Sequence, residues 1–210
     1  MSFELWAAFA LASAIVVVIP GPTVVLVISY ALGHGRRPAL AIVAGVALGD
    51  FTAMTASILG VGALLATSAT LFTALKWIGA AYLVYLGIRL WRAPVREPAV
   101  SGAPARALDT RRAFFHAYAV TALNPKSIVF FVAFLPQFLD PGGNVALQLA
   151  AFEATFLVLA TLNAAAYALM ASMARGAIRK PAVQKAVNRA GGSLMIGAGL
   201  LAAGWRRAAA

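Results

Sequence analysis

Long apolar blocks, each near the length of a bilayer-crossing helix, make up most of this 210-residue chain. A helix rises 1.5 Å per residue, so the hydrocarbon core of a membrane requires about 20 residues. Mean hydropathy is +0.88 and only 11% of residues are charged, too few for a soluble surface. The sequence therefore predicts an all-α integral membrane protein with six transmembrane helices. Their blocks are Leu5–Leu32, Leu40–Leu65, Leu71–Leu90, Phe114–Phe138, Val145–Met173 and Gly191–Trp205.

The formal net charge of +11 is distributed in a way that argues against nucleic acid as a partner. Cations fill the odd-numbered connections, whereas connections 66–70 and 139–144 contain no Lys or Arg. This alternation follows the positive-inside rule and predicts cytoplasmic odd connections and external termini, although Arg206 and Arg207 oppose that placement. The cations in question are Arg36, Arg37, Arg89, Arg92, Arg96, Arg106, Arg111, Arg112, Arg175, Arg179, Lys180, Lys185 and Arg189.

A polar stretch divides the chain into two halves of three predicted helices each. We assign 1–92 to the first half, 93–112 to a cytoplasmic linker rich in Pro, Ala and Arg, and 113–210 to the second half. Because each half contains an odd number of helices, the second half must enter the membrane in the opposite orientation. The halves together form a single transmembrane domain.

Matching features recur in the two halves about 103 residues apart. Pro20-Gly21-Pro22 breaks the first helix as Asn124-Pro125 breaks the fourth, and Asp50 corresponds to Glu153. Inverted three-helix repeats with broken helices at corresponding positions are typical of secondary transporters, whose substrate site lies at the repeat interface. The pattern predicts two such repeats, with helices 1 and 4 broken.

Proline breaks leave backbone carbonyls without their usual helical partner. Pro20 is expected to free the carbonyl of Val16, Pro22 that of Val18 and Pro125 that of Thr121. A single proline in a membrane helix favours a structural kink. Two breaks of this kind together favour a functional site, because exposed backbone at membrane depth must be satisfied by protein or water.

Two opposite charges lie at membrane depth. Lys126 is near the middle of the fourth block, and Asp50 is about 10 residues, or ~15 Å, into the second. A charge at the bilayer centre costs roughly 3 kcal/mol on insertion scales, so such residues mark functional sites by default. A structural ion pair between them is the alternative. Glu153 lies nearer the outer end of its block and is equally compatible with an interfacial position facing water.

Several chemistries have no basis in the sequence. The chain has no cysteine, which excludes disulfide and thiol chemistry. We find no metal-ligand spacing, phosphate loop or serine elbow, so we expect no cofactor and no metal. His34 and His116 are predicted to be interfacial rather than ligands or proton relays. The four tryptophans lie near block ends, as interfacial belt residues do.

Long strings of the chain, from Phe3 to Arg206, resemble the lysine exporter (LysE)/RhtB family of amino-acid efflux proteins. They are Pro20-Gly21-Pro22, Gly45-x-x-x-Gly49-Asp50, the segment 76–87 (KWIGAAYLVYLG), Asn124-Pro125-Lys126-Ser127 and the segment 134–138 (FLPQF). The resemblance implies secondary export of amino acids or close derivatives across the bacterial inner membrane by a multi-pass protein. It is closer to the homoserine and threonine exporters than to the exporters of basic amino acids.

Together these features predict an exporter, not an enzyme, whose site lies between the first and fourth helices. An apolar setting makes a carboxylate easier to protonate and a nearby Lys makes it harder, so proton coupling through Asp50 or Glu153 is expected. A passive amino-acid channel stays open as an alternative, and an intramembrane enzyme is less favoured because no nucleophile–base pair is visible. The expected partners are an amino-acid substrate and membrane lipid, and self-association is left open. The predicted substrate-binding residues are Pro20, Gly21, Pro22, Asp50, Asn124, Pro125 and Lys126.

Overall fold

The structure, a computed structural model, describes residues 1–34, 39–67, 69–94, 109–173 and 181–204. Outside these ranges lie most of the predicted linker, with several of its cations, and Trp205. The same holds for the side chain of His34 and for Arg206 and Arg207, the two cations that oppose an external C-terminus. The described residues form eight α-helices: α1 Phe3–Val18, α2 Pro22–His34, α3 Ala39–Thr67, α4 Ala69–Trp91, α5 Thr110–Ala122, α6 Pro125–Ala133, α7 Val145–Met173 and α8 Pro181–Gly204, with a 3₁₀ turn at Leu135–Phe138.

The first and fourth apolar blocks are each two helices joined at a sharp bend. The axes of α1 and α2 differ by 53°, and those of α5 and α6 by 40°. Pro22 and Pro125 are the first residues of α2 and α6, a position where the missing amide hydrogen has no helical partner in any case. Both breaks therefore lie where the prolines predict them.

Within the described residues, two to four segments are long and apolar enough to cross a membrane. Ala39–Gly60 of α3 and Val145–Ala171 of α7 qualify alone, and each bent pair qualifies as one broken span. These segments match four of the six predicted blocks. For α4 and α8 the membrane-spanning assignment stays a prediction.

Two helices extend beyond the predicted apolar blocks. The last helix, α8, begins at Pro181 rather than at Gly191, because its first turns are helical but polar. The helix α5 begins at Thr110, inside the stretch 93–112 assigned to the linker, and that domain assignment stays a prediction. Asp109 caps that helix by accepting hydrogen bonds from the backbone amides of Arg111 and Arg112, at 3.0 and 3.4 Å.

The buried apolar residues divide into two clusters at the level of the breaks. The phenylalanine cluster combines α1, α6, the 3₁₀ turn and the adjoining parts of α3, α4, α7 and α8; its rings are Phe9, Phe130, Phe131, Phe134, Phe138, Phe152 and Phe156. The alanine cluster combines α2, α5 and the other ends of α3 and α7; its buried members are Val27, Ala31, Ile42, Val46, Ala113, Ala117, Ala164, Ala168 and Ala171. The alanine cluster occupies the half that carries Arg111 and Arg112, which the positive-inside rule predicts to be cytoplasmic.

Two long helices hold the breaks together. α3 packs against both α5 and α6, and α7 packs against both α1 and α2. Each unbroken span therefore contacts both parts of the broken span in the other half of the chain. This arrangement brings the α1–α2 break and the α5–α6 break to the same place.

Candidate functional site

The end of α1 presents backbone carbonyls to a lysine from the second half of the chain. The last carbonyls of a helix have no partner inside it, and Pro20 and Pro22 supply no amide hydrogen. Lys126 Nζ donates to the carbonyl oxygens of Val16, at 2.9 Å, and Ile19, at 2.8 Å. The prediction that Pro20 leaves the Val16 carbonyl without a helical partner is confirmed, and the Lys126 ammonium donates a hydrogen bond to this carbonyl.

Two side chains of α7 donate to the carbonyls between these. Asn163 Nδ2 lies 2.8 Å from the carbonyl oxygen of Val17, and the Tyr167 hydroxyl lies 2.8 Å from that of Val18. The Val18 carbonyl, predicted to be freed by Pro22, is thus also available to a side chain. Four successive carbonyls at the end of α1 are held by α6 and α7.

Local sequence places Lys126 at the start of α6. Asn124 is the N-cap, and its side-chain oxygen accepts a hydrogen bond from the Lys126 amide at 3.1 Å, while Pro125 occupies the first helical position. The lysine side chain passes close to Gly21. A Cβ at that position would lie 3.3 Å from both Lys126 Cε and Nζ, so any larger residue would press on the lysine.

A short polar network joins the two breaks. Asn124 Nδ2 donates to Thr23 Oγ1 at 3.2 Å, and the Thr23 and Thr121 hydroxyls lie 3.2 Å apart. The expectation that Pro125 leaves the Thr121 carbonyl free is wrong. The chain turns tightly here, and the backbone amide of Asn124 donates to that carbonyl at 3.0 Å.

A cavity of about 30 Å³ lies where the breaks meet. Asp50 and Lys126 both line it, and each is almost fully buried, with 4% and 6% of its surface exposed. A volume of this kind has room for roughly two or three water molecules, each of which needs about 10–15 Å³. The remaining lining residues are Val16, Val17, Thr23, Val24, Val27, Val46, Asn124, Ser127, Phe156, Ala160, Asn163 and Ala164.

Asp50 and Lys126 line the same cavity but do not form a direct ion pair, the structural alternative to a functional role. Among the described residues, no cation lies within 4.0 Å of the Asp50 carboxylate and no hydrogen bond reaches it. The lysine ammonium is instead held by the carbonyls of α1. A buried carboxylate without a directly contacting partner is costly.

The other predicted positions surround the cavity or lie away from it. Pro20, Gly21, Pro22 and Pro125 shape the breaks and do not line the cavity themselves. Glu153 lies apart, half-buried between α7 and α3, where its Oε1 accepts a 2.6 Å hydrogen bond from Thr55.

His116, predicted to be interfacial, is exposed in the half that carries Arg111 and Arg112. Its Nδ1 lies 2.9 Å from the Tyr30 hydroxyl. Among the described residues, no three His, Asp or Glu side chains are grouped closely enough to hold a metal ion.

Sequence reasoning missed five polar residues of the site: Thr23, Thr121, Ser127, Asn163 and Tyr167. The last two carried a usable signal. They are four residues apart and therefore share one face of a helix that is otherwise largely apolar. Thr23 and Thr121 flank the breaks, but a threonine in a membrane helix bonds so readily to its own backbone that its presence alone says little.

Comparison with known proteins identifies the family. The sequence model described as "LysE type translocator" matches residues 14–204. The chain belongs to the LysE type translocator family. As a member it is a multi-pass protein of the bacterial inner membrane and a translocator rather than an enzyme. No solved structure gave a significant match.

Two of three curated relatives match nearly the whole chain, and the third matches 70% of it. A Vibrio cholerae protein named "Uncharacterized membrane protein" is 35% identical over 205 residues, which is 97% of this chain and 98% of that protein. The "Homoserine/homoserine lactone efflux protein" of Salmonella typhimurium is 35% identical over 210 residues, 99% of this chain and all of that protein. The "Leucine efflux protein" of an Enterobacter strain is 31% identical over 147 residues, 70% of this chain and 66% of that protein.

Proposed function

We propose that this translocator exports neutral amino acids or close derivatives, homoserine- or threonine-like in size, by proton-coupled secondary transport. The observation that carries the proposal is the pair Asp50 and Lys126, which line one cavity at two helix breaks without neutralising each other by direct contact. Such a site offers one anionic and one cationic partner. The names of the homoserine and leucine efflux relatives support the substrate class.

The chemistry of the cavity matches a zwitterion. A substrate ammonium would be received by the Asp50 carboxylate. A substrate carboxylate would be received by Lys126 and by the positive N-terminus of α6, with Thr23 and Asn124 as hydrogen-bonding neighbours. Because the two buried charges cancel, a molecule of zero net charge fits better than a cation.

The cavity in this structure is too small for an amino acid. About 30 Å³ has room for a few water molecules only, so substrate entry requires the helices to separate. The reciprocal packing of α3 on the second broken span and of α7 on the first supports two inverted repeats. Rocking of such repeats against each other would expose the site to each side of the membrane in turn.

Proton coupling is proposed to use Asp50, with Glu153 as the second candidate. Asp50 is the carboxylate that faces the cavity, so proton binding and substrate-ammonium binding would compete for the same oxygens. An exporter built this way takes up a proton from outside as the substrate leaves. Glu153 accepts a hydrogen bond from Thr55 and does not line the cavity. A proton on Glu153 could therefore affect substrate binding only indirectly, not by competing for the same oxygens.

The test is transport by purified protein in liposomes. Vesicles loaded with a panel of homoserine, homoserine lactone, threonine, leucine and lysine are given a pH gradient of either sign, and amino-acid movement is followed with radiolabel. We expect uphill movement of a neutral substrate, abolished by a protonophore. Asp50→Asn should remove the uphill component, whereas Glu4→Gln, the same change at an exposed position near the start of α1, should not.

Each other outcome has a defined meaning. Flux that only follows the substrate gradient and ignores the protonophore would identify a passive channel. Uphill movement that persists when the pH gradient is replaced by a sodium gradient would identify a different coupling ion. Movement of none of the panel would show that the proposed substrate class is wrong.

A further inference from the structure

The four carbonyls at the end of α1 are held by two separable sets of donors. Lys126 takes the first and last carbonyls, and it belongs to the cavity. Asn163 and Tyr167, both on α7, take the two in between. The α7 donors therefore fasten the broken end of α1 independently of the charged pair.

Asn163 and Tyr167 differ in position relative to the cavity. Asn163 lines it, whereas Tyr167, one helical turn further along α7, does not. That next turn leads into the alanine cluster, where Ala168 and Ala171 are buried and Tyr167 itself packs against the cluster. The tyrosine hydroxyl thus ties α1 to α7 on the cytoplasmic side of the cavity.

Separating the helices would cost a different free energy at the phenylalanine cluster than at the alanine cluster, which lie on either side of the cavity. On the outer side lie interlocked aromatic rings; for example, the centroids of Phe9 and Phe152 are 4.4 Å apart and those of Phe131 and Phe156 are 4.7 Å apart. On the cytoplasmic side the buried members of the cluster are alanine, valine and isoleucine. Attraction grows with the number of packed atoms, so the alanine cluster loses fewer contacts when it opens.

We propose that Asn163 and Tyr167 form a latch, and that its release opens the cavity to the cytoplasm through the alanine cluster. The two residues act as positioning residues: they hold the broken end of α1 in place and keep the cytoplasmic side shut. This inference rests on the proposed function, because the latch would open the cavity for substrate. The labelling test below needs no substrate, so the latch and the proposed function can fail separately.

The experiment uses the absence of cysteine from the chain. Val46→Cys places a single thiol on the cavity wall, inside the alanine cluster, at a side chain that is 1% exposed. Inside-out and right-side-out membrane vesicles are treated with a membrane-impermeant methanethiosulfonate reagent, and the labelling rate is measured. In this background Tyr167→Phe removes only the hydroxyl that binds the Val18 carbonyl.

We expect Tyr167→Phe to raise the labelling rate in inside-out vesicles by a few-fold to about tenfold, the shift that one lost hydrogen bond produces. Asn163→Ala should act in the same direction. Tyr85→Phe is the matched control, because that tyrosine is half-exposed on α4 and away from the cavity. Labelling of right-side-out vesicles should stay slow in all variants.

Three results would overturn the latch. The first is a labelling rate in Tyr167→Phe no higher than in Tyr85→Phe. The second is faster labelling from the outer side, which would place the opening at the phenylalanine cluster. Loss of folded Tyr167→Phe protein, measured by size-exclusion chromatography in detergent, would show that the hydroxyl is needed for folding rather than for gating.

Discussion

Asp50 and Lys126 contribute differently to the site, and single substitutions should separate their contributions. Lys126→Met keeps the length of the side chain but leaves the carbonyls of Val16 and Ile19 without a donor, at about 1–3 kcal/mol for each unsatisfied group. Asp50→Asn removes a buried carboxylate that has no direct contact partner among the described residues. The relief of its burial and the loss of its attraction to Lys126 oppose each other, so the net effect on stability should be small. Both variants should lose transport, measured in the liposome assay alongside thermal unfolding in detergent.

The double variant tests whether the two charges interact across the cavity. Once Lys126 is gone, Asp50 is an uncompensated buried charge, and neutralising it should recover part of the lost stability. We expect a coupling free energy of roughly 0.5 kcal/mol or more between Asp50→Asn and Lys126→Met. Strictly additive unfolding temperatures would show that the charges do not sense each other, and normal flux in either single variant would remove that residue from the mechanism.

Glycine on α3 allows this helix to approach α5 closely, as the small-xxx-small spacing of Gly45 and Gly49 predicts. A Cβ at Gly45 would lie 2.5 Å from the backbone oxygen of Phe114, and one at Gly49 would lie 2.7 Å from Thr121 Cβ. These contacts are shorter than real Cβ contacts, and the atom at Gly45 is backbone that cannot rotate away. The position of α5, and with it the second break, depends on this approach.

Gly45→Ala should therefore destabilise the protein by about 1–3 kcal/mol, the usual cost of overpacking. Gly60→Ala, on the same helix but with no atom within 4 Å of the added methyl, is the matched control. Its effect should be neutral or slightly stabilising, because alanine favours helix more than glycine does. Thermal unfolding in detergent compares the two, and equal unfolding temperatures would show that α3 and α5 do not pack this closely in the protein.

The orientation of the whole molecule in the membrane can be tested at both ends of the second broken span. Thr110, at the start of α5, and Gly142, in the turn before α7, are both exposed and lie on opposite sides by the positive-inside rule. In intact cells, an impermeant thiol reagent should label Gly142→Cys and spare Thr110→Cys. The reverse pattern would invert the topology, and with it the direction in which the latch opens.

One contact supports the same arrangement of the chain. The amino group of Met1 lies 3.5 Å from the Asp140 carboxylate, in the turn that contains Gly142. The N-terminus and the α6–α7 connection are therefore on one side of the molecule. Positive-inside reasoning reaches the same conclusion from the lack of Lys and Arg in that connection.

The sequence by itself determined the class of fold, both helix breaks and the presence of two charges within apolar blocks. These follow from local, covalent properties. A bilayer sets the length of an apolar helix, and a proline without an amide hydrogen interrupts it wherever the chain folds. The family strings around Pro20 and Lys126 were likewise readable without coordinates.

Only the tertiary structure decided which groups meet. The contacts of the site depend on how each helix is rotated about its axis. This rotation decides which carbonyls Lys126 binds and that its ammonium stays apart from Asp50. It also places Glu153 against Thr55 and gives Asn163 and Tyr167 their partners. A helix in water carries an apolar stripe that fixes this rotation. A membrane helix is apolar on every side, so close packing and interhelical hydrogen bonds fix it instead, and these exist only once the helices have assembled.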